Sequence, residues 1–322
     1  MTQPRTGWVN NELRTKHPAL GVFFALAGVV LFGLNASTSK VTMAAGISPS
    51  ELVIFRSLAT ALGAGIALAL VNPRAFKVKP KEWKNLVIFG IFGVALMQWS
   101  YSNAVANLPV GIALLIEYTA IVIVPLVSLW LFKEKVLPRL WFAIVMVLGG
   151  LVVVSRIWDG GLNPVGVMFA VAAALFLSFY FLMGEHTLRN RDALSTLFYS
   201  MSVSAVFWLI VTPWWNFDTS LFVKTVSLTG NLAQYELPIW VLLIWIGIFG
   251  SFIPMLFSFL ALTHLRATAV GVISTAETVM AFVFGWAWLN ERIDGLQALG
   301  GLLVIAGIVL AQTSRVKNQE TS

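Results

Sequence analysis

The sequence predicts an all-α polytopic membrane protein, with ten transmembrane helices arranged as two inverted five-helix repeats. Three observations predict it. The 322 residues are 58% apolar and 11% charged, with a mean hydropathy of +0.86, whereas a soluble domain is about one-quarter charged. Stretches nearly free of charge, such as Ala19 to Leu34, Leu86 to Met97 and Gly300 to Ala311, recur along the chain with short polar breaks between them. The chain also resembles itself, half against half, in a register described below.

Windows of about 20 apolar residues, the length that crosses hydrocarbon, place spans near 19–39, 50–71, 84–106, 109–132, 139–155, 163–184, 194–214, 238–263, 267–290 and 294–313. The closest divisions fall at Asn107-Leu108-Pro109, where proline disfavours helix before it, and near Arg266. The expected organisation is a cytoplasmic tail over 1–18, a first repeat over 19–155, a second over 163–313 and a cytoplasmic tail over 314–322. With the N-terminus inside, sixteen basic residues fall in inner segments. Four (Lys40, Arg156, Lys224, Arg292) fall in outer ones, and Arg56 lies within a span. Cytoplasmic loops carry such an excess, so both termini are expected inside.

The first apolar run follows a basic flank, as in a secretory signal, but it is long and no small-residue cleavage site follows, so it reads as a span. The longest polar loop, Trp215 to Leu237, is too short for a folded outer domain. Without cysteine, disulfides and Cys-based metal or redox sites are excluded. The net charge of +7 is explained by topology rather than by nucleic acid. His17, His186 and His264 all sit at span ends, with His264 expected to be solvated, and no HExxH, Gly-x-Ser-x-Gly or phosphate-binding glycine loop is present. No cofactor or metal is expected. The partners are a small-molecule solute and the lipid bilayer, with the oligomeric state left open, a monomer included.

Val110-Gly111-Ile112-Ala113-Leu114-Leu115-Ile116-Glu117 aligns with Val270-Gly271-Val272-Ile273-Ser274-Thr275-Ala276-Glu277. Lys133-Glu134-Lys135-Val136 aligns with Asn290-Glu291-Arg292-Ile293, and Val147, Gly150 and Val152 with Val304, Gly307 and Val309. Five spans per half is an odd number, so the second half enters from the opposite face, which suits alternating access. Small residues at four-residue spacing (Gly28 and Gly33; Ala59, Gly63 and Ala67; Ala170, Ala174 and Ser178) read as close helix packing. Pro125 and Pro254 are expected to kink their spans, and Trp83, Trp214, Trp215 and Trp240 to anchor span ends at the interface.

Glu117 and Glu277 resist explanation as packing. Each lies some eight to ten residues inside its span, roughly 12–15 Å at 1.5 Å per residue. A carboxylate at that depth costs about 2.5–3.5 kcal/mol unless it faces a cavity, a partner or a proton path. Arg56 sits at roughly 9 Å depth on the same side and is a candidate partner for Glu117. Its counterpart in the second half is Met201, which leaves Glu277 without such a partner and makes it the better proton carrier. Gln98, Trp99, Tyr101 and Asn103 on the third span, Tyr118 beside Glu117, and Asn35 and Tyr180 on the paired first and sixth spans complete a candidate substrate or proton path.

With these residues in place, the chain resembles the EamA type of the drug/metabolite transporter superfamily. The likeness runs from about residue 19 to 313 and rests on the ten-span plan, the segment from Pro109 to Thr119, the Glu277 repeat and the Leu289-Asn290-Glu291-Arg292 junction. Glu117-Tyr118-Thr119 is most similar to the threonine/homoserine exporter branch. The resemblance implies a central cavity between the halves, near the third, fourth, eighth and ninth helices. It also implies efflux of amino acids or related metabolites across the cytoplasmic membrane. Ser-Phe-Tyr180 stands where the first half has Gly-Leu-Asn35, and the family also handles aromatic amino acids, cysteine-pathway metabolites and cationic drugs. Import or exchange on the same fold is the near alternative; an integral-membrane enzyme, a channel or a scaffold are the rivals of other classes.

Overall fold

A computed structural model describes residues 18–120, 122–123, 138–155, 161–264, 273–274 and 276–316. Residues 1–17 and 317–322, Pro125, Lys133 to Val136, Arg156, Arg266 and Val270 to Val272 lie outside the described residues. Ten helices follow the predicted spans in order: α1 Pro18–Ala44, α2 Pro49–Val71, α3 Pro80–Asn107, α4 Val110–Glu117 and α5 Pro138–Ser155, then α6 Pro164–Asn190, α7 Ala193–Val211, α8 over 239–264, α9 Ala276–Ala287 and α10 Gly295–Val316. Six of these (α1, α2, α3, α6, α7 and α8) contain stretches long and apolar enough to cross a membrane. Their outward faces carry exposed apolar side chains, with Leu70 80% and Ile210 74% exposed. The outer surface is therefore apolar as well as the core, and lipid is the partner of that surface.

Helix starts follow local chemistry. The Ser48 hydroxyl accepts from the Glu51 N–H at 3.3 Å while the Glu51 carboxylate accepts from the Ser48 N–H at 2.7 Å, a capping box that opens α2. Asp192 caps α7 through the Ser195 N–H at 3.0 Å. Proline occupies the first turn of α2, α3 and α6, where its missing N–H costs nothing.

The packing is reciprocal between the halves. α1 packs on α8 and α9, as α6 packs on α3 and α4; α2 pairs with α7, α4 with α9 and α5 with α10. A Cβ on Gly150 would lie 2.7 Å from the Gly300 carbonyl, and one on Gly307 would lie 2.9 Å from the Ala143 carbonyl. These are two images of one close approach in lipid.

α3 and α8 are not continuous α-helices. Each passes through a π-helical stretch, Phe89–Ala95 in α3 and Ile248–Phe252 in α8. In α8 the stretch precedes Pro254, whose ring clashes with the carbonyl four residues earlier, so the expected kink takes this form. The loop before α8 has more structure than its length suggested. It carries a 3-10 turn, a four-residue helix and an antiparallel hairpin, Thr225–Ser227 (β1) against Glu236–Pro238 (β2). This hairpin caps one end of the bundle through Trp288 Nε1, which donates to the Leu228 carbonyl at 2.8 Å, and through the Asn231 N–H, which donates to the Trp288 carbonyl at 2.8 Å. Trp83, Trp214, Trp215 and Trp240 are all exposed at helix ends, as anchors should be. His264 departs from expectation: its ring stacks on Phe24, because its helix end lies against α1.

Candidate functional site

α4 is interrupted where a single span from 109 to 132 was expected. The helix ends at Glu117, and Tyr118 and Thr119 form a turn before helix resumes at Ala120. The freed Ile116 carbonyl accepts from both the Thr119 N–H at 3.1 Å and the Thr119 hydroxyl at 2.7 Å. Irregular backbone at membrane depth is tolerated only where protein or a cavity satisfies it, and discontinuous helices are where transporters build binding sites.

Around this break the fold brings together five of the ten sequence-derived candidates. Arg56 on α2, Tyr101 on α3, Glu117 and Tyr118 at the α4 break and Glu277 on α9 lie within mutual electrostatic reach. The expected Arg56–Glu117 pair is not formed. Arg56 instead donates through Nε to the Ser251 hydroxyl at 2.8 Å, because the π-helical stretch of α8 carries Ser251 to it. Arg56 is 5% exposed and Nη1 has no hydrogen-bond partner among the described residues. Glu277 is not without a partner either: its Oε2 accepts from the Tyr118 hydroxyl at 2.6 Å. The acid of one half is thus tied to the broken helix of the other.

The remaining candidates are distributed differently. Asn35 is buried, accepts from the Ser39 hydroxyl at 3.3 Å and lies against Gly250, next to Ser251. Gln98 is buried with Nε2 on Met201 Sδ at 3.6 Å and Oε1 without a partner among the described residues. Trp99 and Tyr180 belong to aromatic clusters outside the charged group. Trp99 packs between Phe169 and Trp208, and Tyr180 stacks on Phe89 with ring centroids 5.4 Å apart.

Sequence reasoning missed a second polar cluster, between the α4 start and the α9–α10 junction. Lys40 Nζ donates to Glu291 Oε1 at 2.6 Å and to the Leu108 carbonyl at 2.8 Å, while Glu291 Oε2 accepts from the Val110 N–H at 3.0 Å. Asn290 adopts φ 57, the left-handed conformation asparagine tolerates, and turns the chain so that Glu291 caps α4 from the other half. The signal was present in the Asn-Glu-Arg junction, read only as a repeat. Also missed was Gly90-Ile91-Phe92-Gly93, repeated as Gly247-Ile248-Phe249-Gly250, which marks both π-helical stretches.

A bundle of interlocked inverted repeats with charged groups around a broken helix is the architecture of a multi-pass membrane transporter. Residues 19–156 and 164–313 match the EamA-like transporter family, and the chain belongs to it. The pseudopaline exporter CntI of Pseudomonas aeruginosa is 27% identical over 302 residues, 92% of this chain and 97% of that protein. The threonine/homoserine exporter RhtA of Salmonella typhimurium is 22% identical over 78% of each chain. An S-adenosylmethionine uptake transporter of Rickettsia prowazekii is 23% identical over 74% of this chain and 73% of its own. A solved crystal structure shares the fold with a TM-score of 0.63 at 19% identity, covering 94% of this chain and 99% of the other.

Proposed function

We propose that this transporter exports an amino acid or a related small metabolite across the cytoplasmic membrane by alternating access, with both termini cytoplasmic. Arg56 is the observation that carries the reading. A guanidinium 5% exposed, with one nitrogen unpartnered and two carboxylates within electrostatic reach, is half of a receptor for a zwitterion. Its unpartnered Nη1 offers a charge-assisted hydrogen bond to a substrate carboxylate, and Glu117 offers the opposite charge to an ammonium. Glu277, held by Tyr118, is the group from which a proton is exchanged as the halves rock.

Relatives named as exporters of pseudopaline and of threonine and homoserine support efflux. One named for S-adenosylmethionine uptake keeps import as the second reading. The test is counterflow in proteoliposomes with a panel of labelled amino acids and organic cations. Saturable exchange of an amino acid, with KM raised in Arg56→Gln, is expected. Protein inert across the amino acids, or Arg56→Gln with unchanged KM, overturns the assignment.

A further inference from the structure

Away from the central charges, two shallow surface depressions lie at the end of the bundle that holds the α2–α3 loop. The first is an apolar groove of about 420 Å³ on the outward face of α2 and α7, lined by Leu58, Ala61, Leu62, Ile66, Ala69 and Phe198. The second is a polar pocket of about 200 Å³ lined by Ala75, Lys77, Lys79, Glu82, Arg191 and Asp192. They meet at Phe76. Its ring lies 5.3 Å from that of Phe198 on the groove wall, and its chain neighbours Ala75 and Lys77 line the pocket.

The pocket's acids are already engaged. Glu82 Oε2 accepts from Arg191 Nη1 at 2.7 Å and from the Lys79 N–H at 3.3 Å, and Asp192 Oδ1 accepts from the Ser195 N–H. Arg191 is further held by the Ala75 and Lys77 carbonyls. The ammonium groups of Lys77 and Lys79 are exposed and have no hydrogen bond or ion pair among the described residues. They leave two ammonium groups free to donate at the mouth of an apolar slot, in a lining whose three cations outnumber its two carboxylates.

We propose that this composite site binds one anionic phospholipid, with its phosphate on Lys77 and Lys79 and an acyl chain in the α2–α7 groove. Dimensions agree with that occupant. Leu58 to Ala69 spans roughly 16 Å at 1.5 Å per residue, about half of a ~30 Å hydrocarbon core, so the groove is one leaflet deep. Trp83, exposed and edge-on to Tyr199, stands beside the pocket where interfacial tryptophans sit. A free phosphate fits the lysines but leaves the slot unexplained, and a zwitterionic lipid fits the slot but leaves the lining's excess of cations unmatched. α2 belongs to the first half and α7 to the second, so the lipid bridges the seam across which the halves move.

The test uses the full-length protein in detergent, titrated with phosphatidylglycerol, phosphatidylcholine or inorganic phosphate and read by native mass spectrometry and thermal unfolding. Phosphatidylglycerol is expected to bind roughly 30-fold more tightly than phosphatidylcholine, from two lysines near a phosphate. Lys77→Gln with Lys79→Gln is expected to erase that preference while leaving phosphatidylcholine binding. Ala69→Trp, which fills the groove from an exposed position, is expected to weaken both lipids. Both variants alter exposed residues and should keep the lipid-free unfolding temperature. Equal binding of the two lipids to the wild type overturns the proposal. So does stabilisation by phosphate equal to that by phosphatidylglycerol with Ala69→Trp silent, which would mark a simple anion site.

Discussion

Replacing Glu291 by glutamine should open one end of the bundle. Its carboxylate takes a hydrogen bond from Lys40 at 2.6 Å and another from the Val110 N–H at 3.0 Å, joining α1, α4 and the α9–α10 junction. Hydrogen bonds to charged groups contribute about 1.5–3 kcal/mol each. The Lys40 side chain is 28% exposed, however, so water and salt screen part of that contribution. An amide keeps one acceptor oxygen and no charge, and a net loss of about 2 kcal/mol is a fair figure, shifting the closed-to-open ratio about 30-fold. The chain has no cysteine, so Val110→Cys introduces the sole thiol at a fully buried position behind the clasp. In solubilised protein, Glu291→Gln should raise its alkylation by a water-soluble maleimide by roughly 10- to 30-fold. Lys40→Gln should do the same, and the double variant should add little, since the two share one interaction. Unchanged alkylation would show that the clasp is a strut and not a closure.

Three further outcomes follow from local geometry. Gly150→Ala should destabilise by about 1–3 kcal/mol in thermal unfolding, because its Cβ meets the Gly300 carbonyl at 2.7 Å; adjacent Gly149, with nothing within 4 Å, should tolerate alanine with no loss. Tyr118→Phe removes the donor to Glu277 Oε2 and should lower the transport rate, while Glu277→Gln should leave transport independent of pH; retained pH dependence in that variant would remove Glu277 from the proton path. Arg191→Gln should loosen the α2–α3 loop from α7, since its side chain is 7% exposed and paired with Glu82. Faster proteolysis within residues 72–80 would report it.

Hydropathy placed the spans well, because the contrast between apolar and polar windows is what a bilayer reads. It placed their ends less well, because a helix can continue past the hydrocarbon when its polar residues find partners. α1 was expected to end near residue 39 but runs to Ala44, since Lys40 is held by Glu291 and the Leu108 carbonyl. α6 runs six residues past the expected 184, to Asn190. Backbone irregularities were invisible to a periodicity of 3.6 residues: the Tyr118–Thr119 turn and both π-helical stretches carry no break in hydropathy. The charged residues were found by depth alone, but depth does not choose partners. Ser251 is a small side chain in an apolar run, and only the π-helical stretch that rotates it toward Arg56 makes it the guanidinium's acceptor.

The two halves repeat their backbone contacts closely and differ in their polar side chains. Gly250 in the second half's π-helical stretch lies against Asn35 on α1, and Gly93 in the first half's lies 3.5 Å, measured from an ideal Cβ, from the Tyr180 backbone on α6. Gly247 packs on Ala59 of α2 and Gly90 on Val203 of α7. The same Gly-Ile-Phe-Gly segment is therefore seated on the opposite half twice, once at each image of the interface. Two such images of one contact are what the proposed rocking of the halves requires, since whatever one image loses the other regains. Recognition requires the opposite property. At Arg56 against Met201 the halves differ in charge, so the pseudo-symmetry fails within the charged group, while Tyr180, the counterpart of Asn35, stacks on Phe89 outside it. A zwitterion presents one positive and one negative end, and a site that bound it symmetrically would bind neither end well. On the proposed zwitterion reading, the asymmetry of Arg56 against Met201 is what would hold the cargo in a single orientation.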